Sequence, residues 1–559
     1  MSMSMPVGIL AFAVTFTWAT PALAQLADAG ESPLPVEPRV VNPGDDAPAL
    51  LRDGAGLNAI ELPDAGTITP AAALSSAEPP PSQPPAQTES AFNLTAALKA
   101  SVRASYQGAT PFPLDADLTP LTVAPLMTRV RVTPELHLGN FGLIAEADTA
   151  MGAIVGIPPA SLVGTRVPYP SIVALDLRKL YLEYKWATGA FRVGQQTSNW
   201  GLGLLANDGG KDPEAGDFGQ QEFGNLTYRG LVGVRPFFSL GGDWRAIETS
   251  FAADLIVRDN LADFSQGDRA FQGVIALRYV KDDQNNVGVY AVYRNQRNIH
   301  SVDGGRATDV FVVDVAARWE LLKRHNRVLN FGFEAVTING TTTQARNENA
   351  ELLGAHQFGA AAKLNYRVRH TTFMFDWGFA SGDQNPSDDQ VQNFRFDRDF
   401  KVGLILFDQV MAYQSARSAT RASDPQLTGR PAEGVELLGT ASSITGAWYL
   451  FPRIKHAVSD TFDLYGGPLF AFSTAALTDP FNTRIAGGTS VNPFGVKAGG
   501  YLGTEIDIGI QKRFKPVEEL MLSVTGEGGM FLAGAAYRLP MGGVMAPIGF
   551  GRVRVTLAL

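Results

Sequence analysis

From Arg129 to Leu138 polar and apolar residues alternate strictly, with Val130, Val132, Pro134, Leu136 and Leu138 on one face and Arg129, Arg131, Thr133, Glu135 and His137 on the other. A period of two places successive side chains on opposite faces of an extended chain, so the segment reads as a β-strand with one apolar and one polar face. Gly139-Asn140 then offers a two-residue hairpin turn, and Phe141, Leu143, Ala145 and Ala147 return against Glu146 and Asp148. The same alternation recurs through the chain. Phe251 and Leu255 oppose Asp254 and Arg258, Phe311 and Val315 oppose Asp314 and Arg318, and Phe373, Phe375 and Trp377 oppose Asp376. Near the end Ile506, Ile508 and Ile510 oppose Glu505, Asp507 and Gln511.

A soluble sandwich and a membrane barrel both contain such strands, so other features must decide. Strand-like segments run from residue 92 to 559 with no second domain boundary, and Trp186, Trp319, Trp377 and Trp448 fall at or near expected strand ends. Aromatic girdles and strands of about ten residues, apolar outward and polar inward, are what a lipid-embedded barrel requires, because closure satisfies every backbone group. The last strand alternates Val553, Val555, Leu557 and Leu559 with Arg552, Arg554, Thr556 and Ala558, as the terminal strands of outer-membrane barrels do, although Leu559 stands where an aromatic is usual. The expected fold is all-β: a transmembrane antiparallel barrel of about 18 strands, with 16 to 20 compatible with the pattern. Short turns at 139–140, 187–189, 241–243 and 282–286 alternate with long segments near 107–125, 150–172, 198–226 and 339–355. That rhythm is expected to fail beyond residue 413, where 414–441 and 474–498 are both long.

The apolar run Val7–Trp18 followed by Ala22-Leu23-Ala24 predicts a signal peptide over 1–24, although no Lys or Arg precedes the run. Residues 25–91, rich in Pro and Ala and ending in Pro79-Pro80-Pro81 and Pro84-Pro85, predict a disordered periplasmic linker that serves as a spacer or docks a partner. The chain has no cysteine and a net charge of -9, which excludes thiolate metal sites and gives no basic signature for nucleic acid.

Two stretches resemble the alginate-export family of outer-membrane porins. One is Leu180-Tyr181-Leu182-Glu183-Tyr184-Lys185-Trp186, continuing through Phe191-Arg192-Val193-Gly194-Gln195-Gln196 to Trp200-Gly201-Leu202-Gly203; the other is Phe379-Ala380-Ser381-Gly382-Asp383-Gln384-Asn385-Pro386-Ser387-Asp388. Gln195 stands where that family usually has Arg. The resemblance implies a porin-like barrel and a polar or saccharide cargo.

Polar-face residues are the candidates for lining a pore: Arg129, Arg131, Glu135, Glu146, Asp148, Lys179, Glu183, Lys185, Asp254, Arg258, Asp314, Arg318 and Asp376. Their mixed signs predict weak ion selectivity. Asp383, Asn385 and Asp388 are loop candidates with hard oxygen ligands, but the spacing is not that of an EF-hand, and an acidic turn is the expected reading. The six histidines are scattered and no Gly-x-Ser-x-Gly elbow occurs, so neither cofactor, metal nor catalysis is expected. The expected function is an outer-membrane channel for diffusion or export of polar solutes, oligo- or polysaccharides among them. The expected partners are outer-membrane lipid, lipopolysaccharide, the barrel-assembly machinery and the solute. The alternative is a plugged surface barrel that binds or adheres through its extracellular loops.

Overall fold

In the computed structural model the described residues are 94–117, 120–155, 175–301, 306–344, 351–385, 388–429, 431 and 434–559. The leader expected over 1–24 and the linker expected over 25–91 lie outside them. Eighteen strands build the wall. The first six are β1 (Leu94–Pro113), β2 (Leu126–Leu138), β3 (Phe141–Val155), β4 (Leu175–Trp186), β5 (Gly189–Ser198) and β6 (Asn225–Val234). β7 (Ile247–Arg258), β8 (Asp268–Asp282), β9 (Asn285–Asn298), β10 (Ala307–Arg324), β11 (Arg327–Thr342) and β12 (Leu353–Val368) follow. β13 (Thr371–Ala380), β14 (Ala447–Ser459), β15 (Phe462–Ser473), β16 (Tyr501–Val517), β17 (Leu520–Ala533) and β18 (Ile548–Ala558) complete the set. Each pairs antiparallel with its neighbours in sequence, and β18 pairs with β1 from Ser101↔Ala558 to Ala109↔Phe550. Closure leaves no free edge, so the backbone groups of the wall are satisfied within it.

The alternation seen in the sequence becomes the two faces of this wall. Leu136, Leu138, Phe141, Leu182, Phe191, Phe271, Phe311, Phe373, Ile508 and Val553 are exposed outward, while Arg129, Arg131, Asp148, Asp314 and Asp376 are buried inward. An apolar outside and a polar inside invert the order of a water-soluble protein, and lipid is the solvent that suits it. Aromatic rings mark both rims. Phe141, Tyr184 and Trp186 lie together at one end, with centroids 4.7 and 6.1 Å apart, and Trp448, Phe472 and Tyr501 form a ladder across β14, β15 and β16 at the other, 4.3 and 5.0 Å apart.

Seven of the eight connections on the first rim are two residues long, beginning with Gly139-Asn140, where Gly139 takes the left-handed φ of 57° that a tight hairpin turn needs. The eighth is longer than expected: residues 235–246 fold as two 3₁₀ turns where the sequence suggested a turn at 241–243. The other rim carries long loops, and the rhythm does not fail beyond residue 413. Among the described residues no wall strand forms between Ala380 and Ala447, so 381–446 is one loop, and the β14–β15 hairpin separates it from the next long loop at 474–500. The reason is that 381–446 has a fold of its own, with a two-residue strand at Gln390–Val391, a π turn at Leu406–Met411 and helix α1 (Ala412–Ser423).

Candidate functional site

Two loops of the long-loop rim fold into the barrel, and the polar inner wall receives them. Residues 199–224, between β5 and β6, reach the far side of the lumen. Trp200 is 2% exposed, stacks on Tyr290 of β9 at 5.1 Å and donates its indole N–H to Asp314 of β10 at 3.0 Å. Glu334 of β11 accepts the backbone N–H groups of Leu202 and Leu204 at 2.5 and 3.1 Å, and Arg318 donates to the carbonyl of Gly201. The segment then crosses to β4 and β2, where Arg178 donates to the carbonyls of Asp208 and Phe223 and Arg131 to those of Gly209 and Gly210. Phe218 packs on Phe451 of β14 and Tyr465 of β15, and Arg552 of β18 donates to its carbonyl.

The second loop, 381–446, carries the apolar residues Phe394, Phe396, Phe400, Val402 and Leu404–Phe407 into the same core. A chain turning inside a barrel has no neighbouring strand to pair with, so its N–H groups need other acceptors. Glu505 of β16 supplies one, accepting from Leu404, Ile405 and Leu406 at 2.5–2.8 Å. The two loops are also locked to each other. Asp399 accepts the N–H groups of Glu222, Phe223 and Gly224 at 2.7–3.1 Å, and the N–H of Asp397 donates to the carbonyl of Leu204 at 2.7 Å. Burial, and then the Asp399 carboxylate beside it, push the Asp397 carboxyl well above the usual range. Further up, α1 lies against β1 through Tyr413 on Phe112, Gln414 donating to the carbonyl of Pro113, and Arg417 paired with Asp115 at 2.8 Å.

One arc of the inner wall is dominated by arginine. Arg552 and Arg554 of β18, Arg103 of β1, Arg129 and Arg131 of β2 and Arg178 of β4 are all less than a tenth exposed. Arg103 and Arg129 stand directly opposite each other in the strand register, an arrangement that like charges disfavour unless an anion lies between them. Asp212, at the inner end of the first loop, is that anion, with 2.7 Å to Arg103 and 2.9 Å to Arg129. Burial raises the Asp212 carboxyl, but the two guanidiniums outweigh it and hold the pKa down at about 2. Even so, its side chain is 32% exposed. The arc's other acids pair with its other arginines: Asp148 with Arg131 at 2.7 Å, Glu146 with Arg178 at 2.8 Å and with Lys179 at 3.1 Å, and Glu527 with Arg552 at 2.7 Å.

The remaining sequence candidates also point inward, each into a local pair. Glu135 meets Lys99, Glu183 meets Lys185 and Arg192, Arg258 meets Asp176, Asp254 meets Arg229, and Asp376 meets Arg453. Sequence reasoning had not nominated Arg103, Arg178 or Asp212, whereas alternation had set Glu505 on the polar face of its strand. The alternation of the last strand had already set Arg552 and Arg554 on the polar face. Asp383 and Asp388 close turns, accepting the N–H groups of Asn385 and Gln390, and Asn385 accepts the N–H of Asp388 through its carbonyl. Among the described residues no group of three His, Cys, Asp or Glu side chains is placed to hold a metal ion.

Above the locked loops, toward the long-loop rim, lies a cavity of about 440 Å³ between β6–β12 and the second loop. Its lining includes Gln272, Tyr290, Arg294, Gln357, Asn393 and Arg395.

A family model described as alginate export matches residues 146–439, more than half of the chain. No curated protein matches the sequence. Among solved structures, the outer membrane protein OprD from Pseudomonas aeruginosa is 11% identical over 83% of this chain and 93% of its own, with a TM-score of 0.45. OccAB1 from Acinetobacter baumannii is 9% identical over 83% and 96%, with a TM-score of 0.46. OccK5 (OpdH) from Pseudomonas aeruginosa is 11% identical over 83% and 98%, with a TM-score of 0.42.

Proposed function

The chain belongs to the alginate-export family, and from that premise we propose that this outer-membrane porin-like barrel passes anionic saccharides, with its two inward loops as the gate. The observation that carries the reading is Asp212. It is the carboxylate shared by two facing, buried arginines, it belongs to a loop, and it remains partly exposed. A uronate carboxylate presents the same chemistry as the Asp212 side chain and would compete for the same guanidinium donors. When it does, loop 199–224 loses its ion-pair tie to β1 and β2 at Asp212, and the solute lies beside Arg131, Arg178, Arg552 and Arg554, which share the carboxylates of Asp148, Glu146 and Glu527. Transport rather than catalysis is the role these groups support.

The same reading places residues 25–91 on the periplasmic side, β18 before the barrel-assembly machinery and the outward apolar belt against lipid and lipopolysaccharide. Asp212→Asn tests the gate. The amide removes the negative charge shared by Arg103 and Arg129 and leaves only Glu222, 3.3 Å from Arg103, so the reversal potential in a salt gradient should shift toward anions, and a hexauronate should interrupt the current at lower concentration. Equal selectivity and equal blockade in wild type and variant would rule the gate out. A second reading, a closed surface barrel that binds through its loops, draws support from the extent to which the two loops fill the interior. In that case neither protein would conduct.

A further inference from the structure

The cavity above the loop lock has a chemistry unlike that of the arginine arc. We infer that it is a separate binding site for a short neutral saccharide. The charged groups that line it are already committed: Arg294 is held by Asp259 at 2.5 Å and by Gln296, Arg395 donates to the carbonyls of Leu437 and Gly439 at 3.0 Å, Asp383 accepts the N–H groups of Asn385 and Gln392, and Asp479 accepts the N–H of Asn482 at 2.7 Å. No bare charge is left to recruit an ion. The side-chain amides of Gln272, Gln357 and Asn393, by contrast, line the cavity half-buried and have no partner among the described residues. An amide both donates and accepts, and so matches a hydroxyl, which does the same.

The lining also includes apolar side chains, Tyr290, Val310 and Ile338 among them, with Ile338 beside Gln357 in the strand register, while Gln272 stands between Asp254 and Arg294. A few polar groups on a largely apolar lining are the usual composition of a small-molecule site, and about 440 Å³ lies within the ~300–1,000 Å³ that such sites span. The amides come from β8, β12 and the second loop, so they are set by the wall on two sides and by the gate on the third. A ligand here would therefore touch the element that locks the first loop. The inference relies on the channel reading only for how the ligand arrives.

The test is calorimetry on the full chain refolded in detergent, with heat-modifiable gel mobility as the check of folding. The probes are maltotriose, cellotriose and tri-N-acetylchitotriose, with a trimeric uronate as the charged counterpart. At least one neutral trisaccharide should bind wild type, and the triple variant Gln272→Ala, Gln357→Ala, Asn393→Ala should bind it at least about tenfold more weakly. The variant Arg103→Gln, Arg129→Gln should bind it as wild type does. Absence of binding by all three neutral probes, or undiminished binding by the folded triple variant, overturns the inference. So does a triple variant that loses only the uronate. Loss of uronate binding confined to the arginine variant bears on the gate and leaves this site standing, so the two proposals fail separately.

Discussion

Asp399 is the most informative residue to remove, because it ties the two inward loops together and its hydrogen bonds among the described residues all go to loop residues. Its carboxylate receives N–H groups from Glu222, Phe223 and Gly224. Hydrogen bonds to a charged group contribute roughly 1.5–3 kcal/mol each, and a buried donor left without an acceptor costs about 1–3 kcal/mol. In Asp399→Ala all three donors lose their acceptor at once, but the loops can relax and admit water, so the lower part of the range applies. A net loss of about 3–5 kcal/mol changes the local opening equilibrium by roughly a hundredfold to a few thousandfold. The wall should be untouched, so heat-modifiable mobility and β-content stay as in wild type. Hydrogen exchange at Glu222–Gly224 and at Leu202–Leu204 should accelerate by that factor, while β10 and β11 keep their protection. Asp399→Asn, which keeps one acceptor oxygen, should fall between the two. Exchange at residues 222–224 within about twofold of wild type in Asp399→Ala would refute the idea that this carboxylate holds the loops together.

Glu505→Gln weakens the other anchor, at Leu404–Leu406, and should make the 381–446 loop more susceptible to limited proteolysis, with cleavage kinetics as the measure. Asp479 caps the short helix Pro480–Ile485 through the N–H of Asn482, and burial raises its carboxyl from 3.8 to about 6. A carboxyl whose folded pKa is raised favours the folded loop while protonated, below about 3.8, and that advantage is lost as pH rises to about 6. Exchange at residues 481–485, corrected for intrinsic rates, should therefore be slower at pH 4 than at pH 7, and the difference should vanish in Asp479→Asn. Gly194→Ala places a Cβ against the carbonyl of Leu180 at a backbone φ of 133°, so it should destabilise the β4–β5 pairing by roughly 1–3 kcal/mol, read as a lower unfolding midpoint.

The wall was legible in the sequence because its information is local. The faces of β2 and β3 follow from the alternation at 129–148, the turn from Gly139-Asn140, and the strand number from repeating that pattern. The interior was not legible in the same way. Phe394 to Phe407 has no period of two, and a loop that folds inward is written in the same residues as one that stays outside. What draws it in is a set of N–H groups answered by Glu505 about a hundred positions away. Asp314 was identified as inward from its strand, but that it receives the Trp200 indole could not be read from either segment alone. The arginine arc was partly visible, since Arg129, Arg131, Arg552 and Arg554 alternate correctly. Its continuity depends on β18 closing against β1, which joins the two ends of the sequence.

If the two inward loops gate the passage of polar anionic solutes, the barrel must conduct and must respond to a uronate. Single-channel recording of the refolded full chain in a planar bilayer, in a salt gradient and with a hexauronate added, tests it most directly. Discrete openings are expected, with a reversal potential displaced toward anions and interruptions whose frequency rises with uronate concentration. A correctly folded barrel that shows no conductance steps, or one that prefers cations and ignores the uronate, would contradict it.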